Sequence, residues 1–205
     1  MEPVRFVAWS DYLCPWCWNA SRRWTRLAQE FDGRIEIEWR SYLLRPHARE
    51  GRERDLERFR RYTESWRGPA ADPDAGPFRV WASDEGPPSH SVPPHRVAKA
   101  AARVSEEAFR TIHDRLMTAY FAENRDISRF EVLRALWDEA GLPGPAFEAA
   151  HDEAIEKEIF RDFEAARALG ASGVPAFGRR GDEVVIVGAH PEALYRRWFE
   201  RSLAG

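Results

Sequence analysis

Cys14 and Cys17, the only cysteines in the chain, sit in Cys14-Pro15-Trp16-Cys17, where an apolar run gives way to an amphipathic helical pattern. A thiol at the first turn of a helix faces unpaired backbone N–H groups and the positive end of the helix dipole, so its thiolate is favoured. A second thiol three residues on lies about one helical turn away, near enough to attack a mixed disulfide and release the reduced product. The spacing predicts thiol–disulfide exchange, with Cys14 attacking and Cys17 resolving. Two other uses stay open on the residues alone. Cys-x-x-Cys is half of a zinc site, for which His90 and His95 would be the other half, although the separation far exceeds the usual finger spacing. Two buried core thiols are the remaining possibility.

The elements around the pair alternate. Val4 to Trp9 reads as a strand buried on both faces. After the cysteines comes a helix with Ala20, Trp24, Leu27, Ala28 and Phe31 inward, Pro15 in its opening turn and Asp32-Gly33 at its close. Ile35, Ile37 and Trp39 then alternate with Glu36, Glu38 and Arg40, a strand with one wetter face. A carboxylate from Glu36 or Glu38 beneath the thiols would make a proton relay; a solvated strand face is the simpler reading. An Arg/Glu-dense helical segment from about Glu50 to Trp66 has Arg52, Arg54, Arg58, Arg60 and Arg61 interleaved with Glu50, Glu53, Asp55 and Glu57, the pattern of a solvated helix with i,i+4 pairs. Seven prolines between Gly68 and Pro94 predict an ordered loop that covers the site.

Three helical patterns follow: Phe109, Ile112, Leu116 and Tyr120; Val132, Leu133, Leu136 and Trp137; and Ile155, Ile159, Phe163 and Ala166. The second opens on Ser128 and Glu131 in capping-box spacing, and Gly141 and Gly170 mark stops. Val174 to Phe177, a turn at Arg179 to Asp182 and Val184 to Val187 predict a hairpin, and a last helix after Pro191 turns Leu194, Trp198 and Leu203 inward. The fold class is α/β, a thioredoxin-like fold with an inserted all-helical domain. The expected division is 1–48 with 170–205 for the first and 49–169 for the insertion, the proline-rich loop spanning 68–94.

Composition narrows the partners. The chain has 205 residues, 43% of them hydrophobic, enough for one substantial core. A net charge of −3, from 31 basic and 34 acidic residues thoroughly mixed, offers no face for nucleic acid and no polybasic membrane anchor. No run approaches the roughly 20 apolar residues of a membrane span, and Met1-Glu2-Pro3 leads directly into a strand, so a cytoplasmic location is expected. There a two-cysteine pair is catalytic or metal-binding more readily than a structural staple. Oligomeric state is not encoded in any readable pattern.

The segment Asp11 to Cys17, with Gly173-Val174-Pro175 and Gly188-Ala189, resembles the DsbA family of thiol:disulfide oxidoreductases. Ser91 to Arg96 and Tyr120 to Ser128 resemble its FrnE-like cytoplasmic branch of dithiol-disulfide isomerases, so the likeness spans nearly the whole chain. His190 stands where that branch commonly has Gln. The resemblance implies Cys14 as nucleophile and Cys17 as resolving thiol, tuned by Pro15 and Trp16. It makes Pro175 a cis-proline opposite them, where a plain strand-edge proline is the alternative. The backbone of Val174 would then pair with an incoming peptide or thiol. Substrates would be disulfide- or thiol-bearing proteins or small molecules, with no metal or nucleotide cofactor. The same architecture resembles kappa-class glutathione transferases and 2-hydroxychromene-2-carboxylate isomerases, which carry serine at the Cys14 position. Trp18 and Ser21 to Trp24 resemble mycothiol-dependent reductases, so a low-molecular-weight thiol is an alternative co-substrate. Trp16, between the thiols, is expected at the surface of the site, whereas Trp18 suits site and core equally. His95 either lines the cleft or is a helix-start residue with a satisfied hydrogen bond.

Overall fold

The computed structural model describes residues 2–49 and 55–204. Strand β1 (Val4–Ser10) runs parallel to β2 (Ile35–Ser41), with Phe6 opposite Ile37, and antiparallel to β3 (Ala176–Arg179), with Ala8 opposite Phe177. A short β4 (Val185–Val187) closes the sheet in the order β2-β1-β3-β4. The central place of β1 explains its near-continuous apolar run, because both faces are covered. Phe6 and Ala8 face Trp24 and Leu27 of helix α1 (Pro15–Glu30) and Tyr195 and Phe199 of the C-terminal helix. Val7 and Trp9, one residue out of phase, face Ala166 and Phe163.

Between β2 and β3 the chain is helical. It forms α2 (Leu56–Thr63), a 3-10 turn (Glu64–Trp66), α3 (Arg67–Ala70), α4 (Val92–Val104), α5 (Glu106–Phe121), α6 (Phe130–Glu139), a 3-10 stretch (Gly144–His151) and α7 (Glu153–Ala168). Helix α8 (Glu192–Leu203) ends the fold. Asp55 opens α2 by accepting from the Arg58 N–H at 2.8 Å, and Arg61 pairs with Glu57 one turn back at 2.6 Å. Glu50, Arg52, Glu53 and Arg54 of the expected charged helix lie outside the described residues.

Four local expectations are corrected. The proline-rich stretch is irregular only in its middle, because Gly68 and Pro69 belong to α3 and Pro93 and Pro94 to the first turn of α4, where the missing N–H groups have no helical partner to lose. Ser128 does not cap α6. Its hydroxyl donates to Asp126 at 2.6 Å and accepts from the Ser89 N–H at 2.9 Å, and Arg129 stands at the helix start. Leu194 is 38% exposed, since Tyr195 and Phe199 take the inward face of α8 while Trp198 and Leu203 pack at its flank. Val184 is exposed and precedes β4, so the second hairpin strand is one residue shorter than expected.

The largest buried cluster crosses from the redox segment into the helices. It contains Tyr12, Leu13, Cys14, Cys17 and Trp18 together with Trp66, Trp81, Leu116, Tyr120, Phe121 and Leu133. The thiols therefore share one core with the helices between β2 and β3.

Candidate active site

Cys14 is the N-cap of α1 and Pro15 its first residue, as the sequence predicts. No acidic residue lies in the first turn of α1. The Cys17 N–H donates to the Cys14 carbonyl at 3.0 Å, and the two cysteines lie 3.4 Å apart. Cys14 retains 6% exposure and Cys17 none. Burial pushes the Cys17 thiol well up, and the adjoining Cys14 sulfur adds to the effect. The outer sulfur can meet a partner and the inner one is kept protonated.

The Val174–Pro175 bond is cis. The Cys14 Sγ–H donates to the Val174 carbonyl at 3.5 Å, which brings the segment before β3 against the redox pair as expected. Trp16, 39% exposed, stands beside the pair, and the Gly68 side of α3 reaches its ring. Trp18 is core, with its ring on Phe121 and Phe78 and its indole N–H unpartnered. Tyr62 of α2, 49% exposed, feels the Cys14 charge and has its phenol pushed up, mainly by burial and further by Cys14. Leu44 is likewise exposed on the segment after β2.

His95 is buried. Its Nε2 lies 3.1 Å from the Tyr42 carbonyl and its ring meets Tyr12, so it reaches the redox segment only through that tyrosine. Burial, with Lys99 adding, pushes it down to about 3, so the ring is neutral. His90 is held by the Ser89 hydroxyl at 2.8 Å. Among the described residues no three His, Cys, Asp or Glu side chains are grouped to hold a metal ion. Glu36 pairs with Arg5, and Glu38 with Arg40 and Arg180, on the partly solvated face of β2.

Asp11 organises the loop in a way that sequence reasoning did not assign. Its fully buried carboxylate accepts from the Leu13 N–H at 2.7 Å, the Leu44 N–H at 2.6 Å and the Ser91 hydroxyl, while its carbonyl accepts from the Cys14 N–H at 3.1 Å. Burial outweighs those donors and raises the carboxyl above its ordinary value. Three chain segments thus close around one acid. A second clip joins α1 to the proline-rich loop: Arg23 donates to Asp72 and Asp74, both at 2.7 Å, and to the His190 carbonyl at 2.5 Å. Asp72 and Asp74 would read from sequence as solvated loop acids, and only their meeting with Arg23 shows otherwise. The loop packs on the first turns of α1, with Gly76 close against the Trp18 ring.

Known proteins are similar to this chain along nearly its whole length. The uncharacterized protein YwbO of Bacillus subtilis is 23% identical over 98% of this chain and 96% of its own length. A solved structure from Nitrosomonas europaea, a candidate protein disulfide isomerase, superposes with a TM-score of 0.81 at 16% identity, covering 99% of this chain and 98% of that one. The cytosolic disulfide reductase DsbM of Pseudomonas aeruginosa, solved with glutathione, superposes with a TM-score of 0.78 at 21% identity over 98% of this chain and all of that one, 100%. The DSBA-like thioredoxin domain matches residues 5–197, and with the fold, the cysteine pair and the Val174–Pro175 segment in place, the chain belongs to that family.

Proposed function

We propose that this protein is a thiol–disulfide oxidoreductase of the FrnE-like type, acting in the cytoplasm through Cys14 and Cys17 with no metal or nucleotide. The observation that carries the reading is the 3.4 Å approach of the two cysteines at a helix start, with the Val174 carbonyl 3.5 Å from the Cys14 sulfur. In the reducing direction the Cys14 thiolate attacks one sulfur of a substrate disulfide and expels the other as a thiolate. Cys17 then gives up its proton and attacks the Cys14 sulfur, releasing the second substrate thiolate and leaving a Cys14–Cys17 disulfide. Two electrons pass to the substrate, and two external thiols restore the pair. In the isomerising mode the released substrate thiolate re-attacks before Cys17 does.

Exposed Trp16, Leu44 and Tyr62 on the converging segments favour a disulfide flanked by apolar or aromatic groups. The Val174 backbone would receive the chain on either side of it, and Pro15, Trp16 and Pro175 complete the contact surface. His95 supports that surface from within through Tyr12. Glutathione in the DsbM structure supports a second role for a small thiol, as the reductant of the Cys14–Cys17 disulfide.

The test is exchange with a fluorescent peptide disulfide. Cys14→Ser is expected to abolish turnover, and Cys17→Ser to accumulate a mixed disulfide visible by mass under non-reducing conditions. Turnover by Cys14→Ser would overturn the assigned nucleophile. Titration of the pair against glutathione buffers then fixes the direction of electron flow.

A further inference from the structure

The segment that meets the Cys14 sulfur is tied to a turn far along the chain. The Val174 carbonyl accepts from Cys14 Sγ at 3.5 Å, and the next carbonyl, that of Pro175, accepts from the Gly188 N–H at 2.7 Å. Proline has no N–H, so its carbonyl is the one main-chain group by which Pro175 can be hydrogen-bonded. That bond extends the β3–β4 ladder one step past its last pair, Ala176 opposite Val187.

Gly188 has a φ of +109°, backbone that favours glycine, and the chain turns there from β4 toward α8. Three donors from outside the main-chain ladder fix the turn. The ring of His190 folds back on it, and because a carbonyl only accepts, the His190 Nε2–H donates to the Val187 carbonyl at 3.0 Å. The hydroxyl of the buried Tyr195 donates to the Gly188 carbonyl at 3.2 Å and accepts from the His190 N–H at 3.2 Å. The Arg23 guanidinium of α1 donates to the His190 carbonyl at 2.5 Å.

We infer that His190 is a positioning residue for substrate capture: its ring, with the Tyr195 hydroxyl, fixes the Val187–His190 turn, and that turn sets where the Val174–Pro175 backbone stands against the Cys14 sulfur. The inference rests on the proposed docking of a substrate chain at the Val174 backbone. Strand-like pairing is tighter when the receiving carbonyl is held in place before the peptide arrives, because less ordering remains to be done on binding. Exchange between sulfurs needs no such pairing, so a peptide disulfide feels the brace and a small disulfide without N–H groups does not.

The test compares a fluorescent peptide disulfide with bis(2-hydroxyethyl) disulfide. In His190→Ala the KM for the peptide is expected to rise about fivefold, the scale of one lost hydrogen bond, with kcat retained and the small disulfide turned over as by the parent. Tyr195→Phe keeps the buried ring and should raise KM in the same way. His190→Gln, whose amide can still donate to the Val187 carbonyl, should restore the parental KM. An unchanged peptide KM in His190→Ala or Tyr195→Phe, an equal loss with the small disulfide, or no recovery in His190→Gln would each overturn the assignment. The parent is also given a peptide N-methylated beside the half-cystine. A raised KM there supports docking at Val174 whatever the His190 variants do, whereas an unchanged one removes the docking and the brace with it. Turnover of the small disulfide by the parent reports the redox chemistry separately from both.

Discussion

Two histidines in the interior, His95 and His113, give the molecule a calculable response to acid. Both are driven down by burial, to about 3 and about 4 from an ordinary 6.5. Between those values and 6.5 the unfolded chain binds protons that the folded chain refuses, so stability rises with pH across that window and is lost on acidification. Each histidine contributes a slope of about 1.4 kcal/mol per pH unit in the middle of its window. Asp11, raised by burial, works in the opposite sense above its unfolded value. Urea midpoints at pH 4.5 and 7 should therefore converge in His95→Gln and His113→Gln relative to the parent. An unchanged pH slope in both would show that the rings are solvated. At the thiols, residue identity and spacing were enough to place the pair at a helix start, whereas the burial that separates Cys14 from Cys17 was not visible in them.

At the scale of elements, the join between α1 and the proline-rich loop is the feature with the largest energetic consequence. Burial alone would raise the Asp74 carboxyl, but the guanidinium groups of Arg26 and Arg23 outweigh it and hold it below the usual range. Asp74→Ala leaves the nearly buried Arg23 short of one of its two acids, and removing one partner of a buried pair costs about 3–5 kcal/mol, taken at the lower end because Asp72 remains. The exposed Lys157–Glu153 pair of α7 is the control: Glu153→Ala should cost under about 1 kcal/mol. Equal losses in denaturant melts would contradict the clip. Gly76→Ala places a methyl 2.4 Å from the Trp18 ring, and overpacking of this kind costs about 1–3 kcal/mol. A change in the near-ultraviolet circular dichroism of the tryptophans should accompany that loss. The helices and strands themselves were legible, since the period of 3.6 survives in α1, α5 and α7, the period of 2 in β2, and a short apolar run marks β1. The capping-box spacing at Ser128 misled because Asp126 and Ser89 claim that hydroxyl, a competition set by neighbours distant in sequence.

For the whole molecule, one buried cluster runs from Cys14 and Cys17 to α6, so redox segment and helical insertion should unfold together. Leu116, fully buried on α5, tests this: Leu116→Ala should cost about 2–5 kcal/mol and lower the far-ultraviolet and tryptophan transitions by the same amount. A tryptophan transition left at the parental midpoint would mean that the redox segment is held by the sheet alone. No helix among the described residues is long and apolar enough to cross a membrane.

The order of elements and the place of the cysteines at a helix start were determined by the sequence alone, because periodicity, helix-start chemistry and turn residues act within a few positions of the chain; the proline opposite the cysteines was expected only from the family resemblance. Tertiary structure decided which charges became interior groups. Asp11, Asp74, Arg23 and His113 carry no local mark that separates them from their solvated counterparts. Burial and partner are properties of packed segments, and those segments are brought together only when the chain closes around its core.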